Sequence, residues 1–272
     1  MKVLVTGANG MLGQDLCPIL EDNCYDVIET DIHNLDITDY NAVQDVLSKE
    51  KPDFVIHCAA YTNVDKAEED IETASKINVV GTENLAKVCG DLGIAIVYIS
   101  TDYVFAGDTE KPYKPSDLTN PLNNYGLTKF QGEEAVKKYC EKYYIARTSW
   151  LYGIHGKNFV ETMISLAEKP ELKVVDDQTG CPTWTVDLAV AIVKLIKTKP
   201  YGTYHTCGGS YTTWYGFAKE IFEQAGIEAN LKPCTTDEFP RLAKRPVYSV
   251  MDNDGLCRDW KLALKDYMKL RV

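Results

Sequence analysis

Tyr125 and Lys129 stand four positions apart in Tyr125-Gly126-Leu127-Thr128-Lys129, which opens a helical pattern. On a helix that spacing puts both side chains on one face, one turn from each other. A phenol is a weak acid, with an ordinary pKa of about 10. A lysine cation beside it favours the phenolate and so eases donation of its proton. A third group, the hydroxyl of Thr101, belongs to Ser100-Thr101-Asp102-Tyr103-Val104-Phe105, which follows the β-branched run from Ile94 to Ile99. At the end of that strand it can meet the other two and hydrogen-bond a substrate oxygen. Together they suit proton transfer to a carbonyl undergoing reduction, if the chain also supplies a hydride source. By themselves a tyrosine and a lysine at this spacing equally describe a surface pair, and a threonine at a strand end is commonplace. The surrounding elements decide between these readings.

Residues 2–6 read as a buried strand, followed by Gly7-Ala8-Asn9-Gly10-Met11-Leu12-Gly13 and a helical pattern from about Met11 to Glu21. A strand, a glycine-rich turn and a helix make the phosphate-binding start of a doubly wound sheet, in which a pyrophosphate meets a helix N-terminus. The spacing is Gly-x-x-Gly-x-x-Gly, not the commoner Gly-x-Gly-x-x-Gly. A second strand, Tyr25 to Thr30, ends at Asp31, about 20 residues past the glycines, where a carboxylate is placed to take an adenosine ribose. The other job open to Asp31 is a turn or helix cap. A carboxylate there repels a 2′-phosphate, and Gln14 beside the turn adds no positive charge, so the reading leans to NADH over NADPH.

A helix follows Asp36-Ile37-Thr38-Asp39 and runs to about Lys49, with Thr38 or Asp39 as its N-cap. The third strand is Phe54 to His57. The small residues of Cys58-Ala59-Ala60-Tyr61 let a dinucleotide lie against its end, or simply allow tight packing. Residues 66–76 and 78–92 read as helical, Ile94 to Ser100 as a fourth strand, 125–142 as a helix and Tyr144 to Thr148 as a fifth strand ending in Ser149-Trp150. Between them, 106–124 is a long polar connection of the kind that carries binding. This alternation predicts an α/β fold: a doubly wound, Rossmann-type parallel sheet. Beyond Gly153 the pattern loosens, with helices at 158–168, 185–197 and 214–225 and short strands at 172–175 and 203–206. The expectation is a dinucleotide-binding domain over 1–150, to which part of 183–210 returns, and a smaller C-terminal substrate-binding domain over 151–272.

A net charge of −11 argues against nucleic acid as a partner, and no apolar run reaches the roughly 20 residues a membrane span needs. Met1 to Gly7 is too short an apolar run for a signal peptide, which leads to an expected cytoplasmic location. The nine cysteines form no Cys-x-x-Cys pair and the four histidines do not cluster, so no metal site is expected. His57 reads as a satisfied, partly buried histidine.

The glycine turn, Asp31, Asp36-Ile37, Ala59-Ala60-Tyr61, Ser100-Thr101 and Tyr125-x-x-x-Lys129 together resemble the extended short-chain dehydrogenase/reductase family. Within it, Ser100 to Phe105, Arg147-Thr148-Ser149-Trp150, Asp177 to Thr183, Thr212-Thr213-Trp214 and Arg245-Pro246 are similar to the dTDP-4-dehydrorhamnose reductases. The resemblance implies NADH- or NADPH-dependent reduction of the 4-keto group of a nucleotide sugar, here dTDP-4-dehydro-L-rhamnose. It implies Tyr125 as acid, Lys129 as its activator and holder of the nicotinamide ribose, and Thr101 as hydroxyl partner. Gly7, Asn9, Gly10, Met11, Leu12, Gly13, Asp31, Asp36, Ile37, Ala59, Ala60 and Tyr61, with Tyr125 and Lys129, would line the cofactor site. Thr101, Asp102, Trp150 and Arg245 would contact the sugar nucleotide. Trp150 packs on the sugar or its methyl group, or is a lid on the domain junction. Arg241, Lys244 and Arg245 pair with a diphosphate, or form a solvated cluster. Dehydratases on this fold carry Thr-Asp-Glu where this chain has Thr101-Asp102-Tyr103, which disfavours elimination. A second reading is a catalytically silent dinucleotide-binding subunit, since the regulatory subunit of methionine adenosyltransferase is similar to the same subgroup; a third is another nucleotide-sugar 4-ketoreductase. A homodimer is left open.

Overall fold

β-branched and aromatic runs bounded by Gly, Asp and Pro make the strands of the central sheet. The computed structural model describes residues 1–271. Its main sheet has six strands, numbered here in chain order: β1 Lys2–Thr6, β2 Asp26–Thr30, β3 Phe54–His57, β4 Ala95–Thr101, β5 Tyr143–Thr148 and β6 Gly202–His205. Their order across the sheet is β6-β5-β4-β3-β1-β2, and every pairing is parallel. The chain therefore leaves β1 outward to β2 and returns to β3 on the other side. Between β1 and β3 lies the switch point, outside whose carboxyl ends such sheets bind ligands. Thr6 pairs with His57, His57 with Tyr98 and Thr101 with Thr148, so these strand ends form one rim.

Helices cover both faces. The Met11–Asp22 and Thr185–Thr198 helices pack on one, through Leu12, Leu16, Leu20, Leu188, Ile192 and Leu195. The Tyr40–Glu50, Thr82–Leu92 and Asn124–Tyr139 helices pack on the other, around Leu4, Val43, Leu85, Ile96 and Val136. A separate core of Tyr152, Trp184, Phe217, Trp260 and Tyr267 gathers the Phe159–Ser165, Trp214–Ala225 and Trp260–Leu270 helices.

The structure departs from the sequence expectations at a few points. The helix expected over 66–76 is two short helices, Lys66–Glu69 and Ile71–Ser75, because Asp70 stops the first and its carboxylate accepts the Thr73 N–H at 3.0 Å to start the second. Lys76–Gly81 then forms a π-helical turn. The helix of Tyr125 and Lys129 ends at Tyr139 and not at residue 142. Its start is set by Asn123, whose side-chain oxygen accepts the Gly126 N–H at 2.8 Å. Of the two candidate caps, Asp39 does the work, accepting from Asn41 and Ala42. Trp260–Leu270 is a helix that was not anticipated. Among the described residues no helix is long and apolar enough to cross a membrane.

Candidate active site

A cleft of about 640 Å³ opens over the carboxyl ends of β1, β3, β4 and β5. Gly7, Gly10, Met11, Leu12, Gly13, Asp31, Asp36, Ile37, Ala59, Ala60, Thr101, Asp102, Tyr125, Lys129 and Trp150 all line it. Asn9, Tyr61 and Arg245 are not among its lining residues.

Gly7 lies in the left-handed region at φ 66°, and a Cβ there would sit 2.7 Å from the Ala59 nitrogen. Only glycine lets β1 turn this close to the end of β3. Gly10 caps the following helix without a side-chain hydrogen bond, and no acidic residue occupies the first turn. The N–H groups and positive dipole end of that helix are thus left to face an anion in the cleft. Asn9 donates its backbone N–H to Asp31 Oδ2 at 3.1 Å, so it ties the turn to Asp31. Among the described residues Lys129 is the one lysine or arginine lining the cleft, and Asp31 has no cationic neighbour there.

At the rim, Thr101 accepts the Tyr103 N–H at 3.2 Å and its hydroxyl lies 2.9 Å from Asp102 Oδ1. Burial pushes the Asp102 carboxyl up to about 6, against the pull of Ser249 and Thr101. At pH 7 it is still ionised and can only accept, so Thr101 donates to it. Asp102 Oδ2 is buried and has no hydrogen-bond partner. Burial pushes the Tyr125 phenol up to about 12, while the Thr101 hydroxyl pulls it down. Tyr103 meets the Tyr125 ring edge-on at 5.9 Å. Lys129 is 3% exposed. Burial brings its ammonium down to about 7, opposed by Glu133 and Cys58. Its Nζ lies over the Tyr98 ring, 4.1 Å from the centroid.

Residues outside the expected set hold this arrangement. Asn78, in the π-helical turn, accepts the Tyr61 N–H at 2.8 Å and donates to the Tyr61 carbonyl and to Thr128 Oγ1, both at 3.1 Å. That is how Tyr61 acts here: its backbone joins the loop after β3 to the Tyr125 helix. His57 is fully buried, with Thr6 at 2.8 Å and Thr82 at 3.0 Å on its two ring nitrogens; burial drops its pKa to about 3, so it is neutral. Glu133, one turn beyond Lys129, takes a fork from Arg147 at 2.8 and 2.7 Å and the Ser100 hydroxyl at 2.6 Å. Arg147 sits inside β5, where a charge buried between two helical layers has to find a partner; that was the available signal.

Trp150 stacks on Trp214, also a lining residue, at 3.5 Å and 7° between planes. Trp150 has a left-handed backbone at φ 45°, and a Cβ on Gly180 would come within 2.5 Å of its ring. Gly180 therefore seats the indole, which gives the Asp177–Thr183 stretch a concrete job at this wall. Arg245 instead forks onto Asp65, at 3.0 Å for each bond, with Arg241 3.8 Å from the same carboxylate. Arg241 and Lys244 are exposed, whereas Arg245 is held by Asp65 and is not among the residues lining the cleft; to reach a diphosphate Arg245 would have to leave Asp65.

Residues 1–270 match the RmlD substrate binding domain family. The chain belongs to that family. Among RmlD-family relatives, a dTDP-4-dehydrorhamnose reductase of Streptomyces griseus is 41% identical over 97% of this chain and 91% of its own. A solved dTDP-4-dehydrorhamnose reductase from Clostridium acetobutylicum is 49% identical, with a TM-score of 0.97 over 100% of this chain and 99% of its own. Another, from Bacillus anthracis in complex with NADP, is 43% identical with a TM-score of 0.95 over 99% of both chains.

Proposed function

We propose that this RmlD-family chain reduces the 4-keto group of dTDP-4-dehydro-L-rhamnose with a reduced nicotinamide dinucleotide, giving dTDP-L-rhamnose. The observation that carries the reading is one cleft lined both by a glycine turn facing an uncapped helix N-terminus and by Thr101, Tyr125 and Lys129. The likeness to dTDP-4-dehydrorhamnose reductases over nearly the whole chain supports the substrate.

The cleft suits a dinucleotide. Gly7, Gly10 and the helix N-terminus would take the pyrophosphate, Asp31 the adenosine ribose, Asp36 and Ile37 the adenine side, and Ala59 and Ala60 the run toward the nicotinamide. Bound there, the nicotinamide supplies hydride to the ketone carbon. Tyr125 donates its phenolic proton to the developing alkoxide. Lys129 holds positive charge beneath the site, which favours the phenolate left behind. The unpartnered Asp102 Oδ2 accepts a sugar hydroxyl, and the Thr101 hydroxyl reaches the ketone oxygen by turning away from Asp102 Oδ1. The Trp150–Trp214 wall packs against the sugar. Residues 1–150 with part of 183–210 carry the cofactor, and the rest of 151–272 closes over the sugar nucleotide.

Mixing the protein with dTDP-4-dehydro-L-rhamnose and NADH or NADPH should bleach the nicotinamide absorbance in proportion to substrate. Binding of the dinucleotide with no oxidation of either form would instead favour a regulatory subunit. A panel of other 4-keto sugar nucleotides separates the remaining ketoreductase reading. The lean to NADH rests on Asp31 and on the lack of a cation beside it, and the relative in complex with NADP makes it the point to check. Asp31→Ala should raise the NADPH-to-NADH ratio of kcat/KM roughly tenfold, the size of one lost hydrogen bond to a charged group plus relieved repulsion. An unchanged ratio would show that Asp31 does not read the ribose.

A further inference from the structure

Lys129 is buried in a cleft wall, yet among the described residues its ammonium has no carboxylate within ion-pairing distance and no hydrogen-bond acceptor. The charged and titratable groups around it come from three elements. Tyr125 and Glu133 lie on its own helix, His57 and Cys58 at the end of β3, and Tyr98 on β4. Glu133 is already engaged by Arg147 and Ser100, His57 is neutral, and burial keeps the Cys58 thiol protonated. What the ammonium meets directly is the face of Tyr98, 4.1 Å from the ring centroid. An aromatic face attracts a cation through its quadrupole, most strongly where water is excluded.

The rest of the local structure keeps that face in place. Tyr98 is fully buried, and its hydroxyl donates to the Lys129 backbone carbonyl at 3.2 Å. The helix can come so close only because residue 132 is glycine: a Cβ there would lie 2.3 Å from the Tyr98 oxygen. Tyr98 is thus pinned to the same helical turn whose lysine it underlies.

We infer that Tyr98 is a positioning residue, an aromatic floor that holds the Lys129 ammonium charged and in place beneath Tyr125. This rests on the role proposed for Lys129 above. The two are separable, because the titration of Lys129 is read without turnover. Removing the ring's attraction destabilises the charged amine, so its pKa falls, and activity that needs the cation is lost at lower pH as pH rises.

The test is a graded series: Tyr98→Phe, the same position carrying difluoro- and trifluorophenylalanine, and Tyr98→Leu. Fluorine drains the ring's negative face with little change of shape, so the series stays informative even where Tyr98→Leu fails to fold. The Lys129 titration is followed by NMR on protein with 13C-labelled lysine, and the alkaline limb of kcat/KM alongside it. Phe should titrate like wild type, and each added fluorine should lower the midpoint. The total should be roughly one pH unit, the range of a desolvated cation–π contact. A midpoint that ignores fluorination overturns the inference. So does a Phe variant that falls to the end of the series at once, because the hydroxyl tether would then be the working part.

Discussion

Tyr125→Phe should lower kcat/KM about 10³-fold, within the range that a positioned general acid contributes, while dinucleotide affinity stays near the wild-type value. The substitution removes one oxygen from a ring that lies between Tyr103 and the rim of the cleft. The ring's packing survives, as does the glycine turn, which lies at the end of a different strand. What disappears is the phenol whose acidity Thr101 raises, hence the proton that would reach the alkoxide. Turnover by absorbance and dinucleotide binding by calorimetry separate the two effects. Equal loss of both would make Tyr125 a structural residue. A residual rate well above one hundredth of wild type would move the proton donor elsewhere, with Thr101 and its Asp102 partner the next candidates.

The parts of this site that follow from local pattern were legible in the sequence. The glycine turn, Asp31 and the Tyr125–Lys129 spacing each lie within one strand–turn–helix unit or one helical turn, where periodicity and residue type suffice. The five strands from Lys2 to Thr148 were visible because both faces of a parallel sheet are buried, which leaves apolar runs between turns. The role of Asn78 was not legible. A π-helical turn has no periodicity of its own, and the worth of a buried asparagine depends on Tyr61 and Thr128, which come from elsewhere. The Asp65 partner of Arg245 was not legible, because it is 180 residues away along the chain. The role of Gly180 was not legible either, because the Trp150 ring that lies against it comes from another segment of the chain. The Trp260–Leu270 helix is a different case. Trp260, Ala263, Leu264 and Tyr267 keep helical spacing behind an Asp259 cap, a signal present in the sequence itself.

Glu133→Ala should be the most destabilising single change near the site. The substitution leaves the Arg147 guanidinium, 3% exposed at its side chain, without the carboxylate that takes two of its bonds, and strands the Ser100 hydroxyl as well. Its other contacts, the Pro115 carbonyl at 3.2 Å and the Phe105 ring at 5.0 Å, do not neutralise it. Breaking a buried pair this way costs about 3–5 kcal/mol, because a charge stays behind in a dry site. Spread over a chain of this size, that is a fall in Tm on the order of 10 °C. The pair itself is a weaker contributor than this loss suggests, since both ions were desolvated to make it. Glu133→Leu combined with Arg147→Met should therefore recover most of the stability, with urea unfolding as the measure. A single-variant loss below about 1 kcal/mol would mean that water reaches Arg147 and that the charge was never confined. Recovery of stability in the double variant without recovery of turnover would place the pair's value in the site. Glu133 follows Lys129 by one helical turn, Ser100 precedes Thr101, and Arg147 locks β5 to both, so the ion pair fixes the relative register of Thr101 and Lys129 at the cleft.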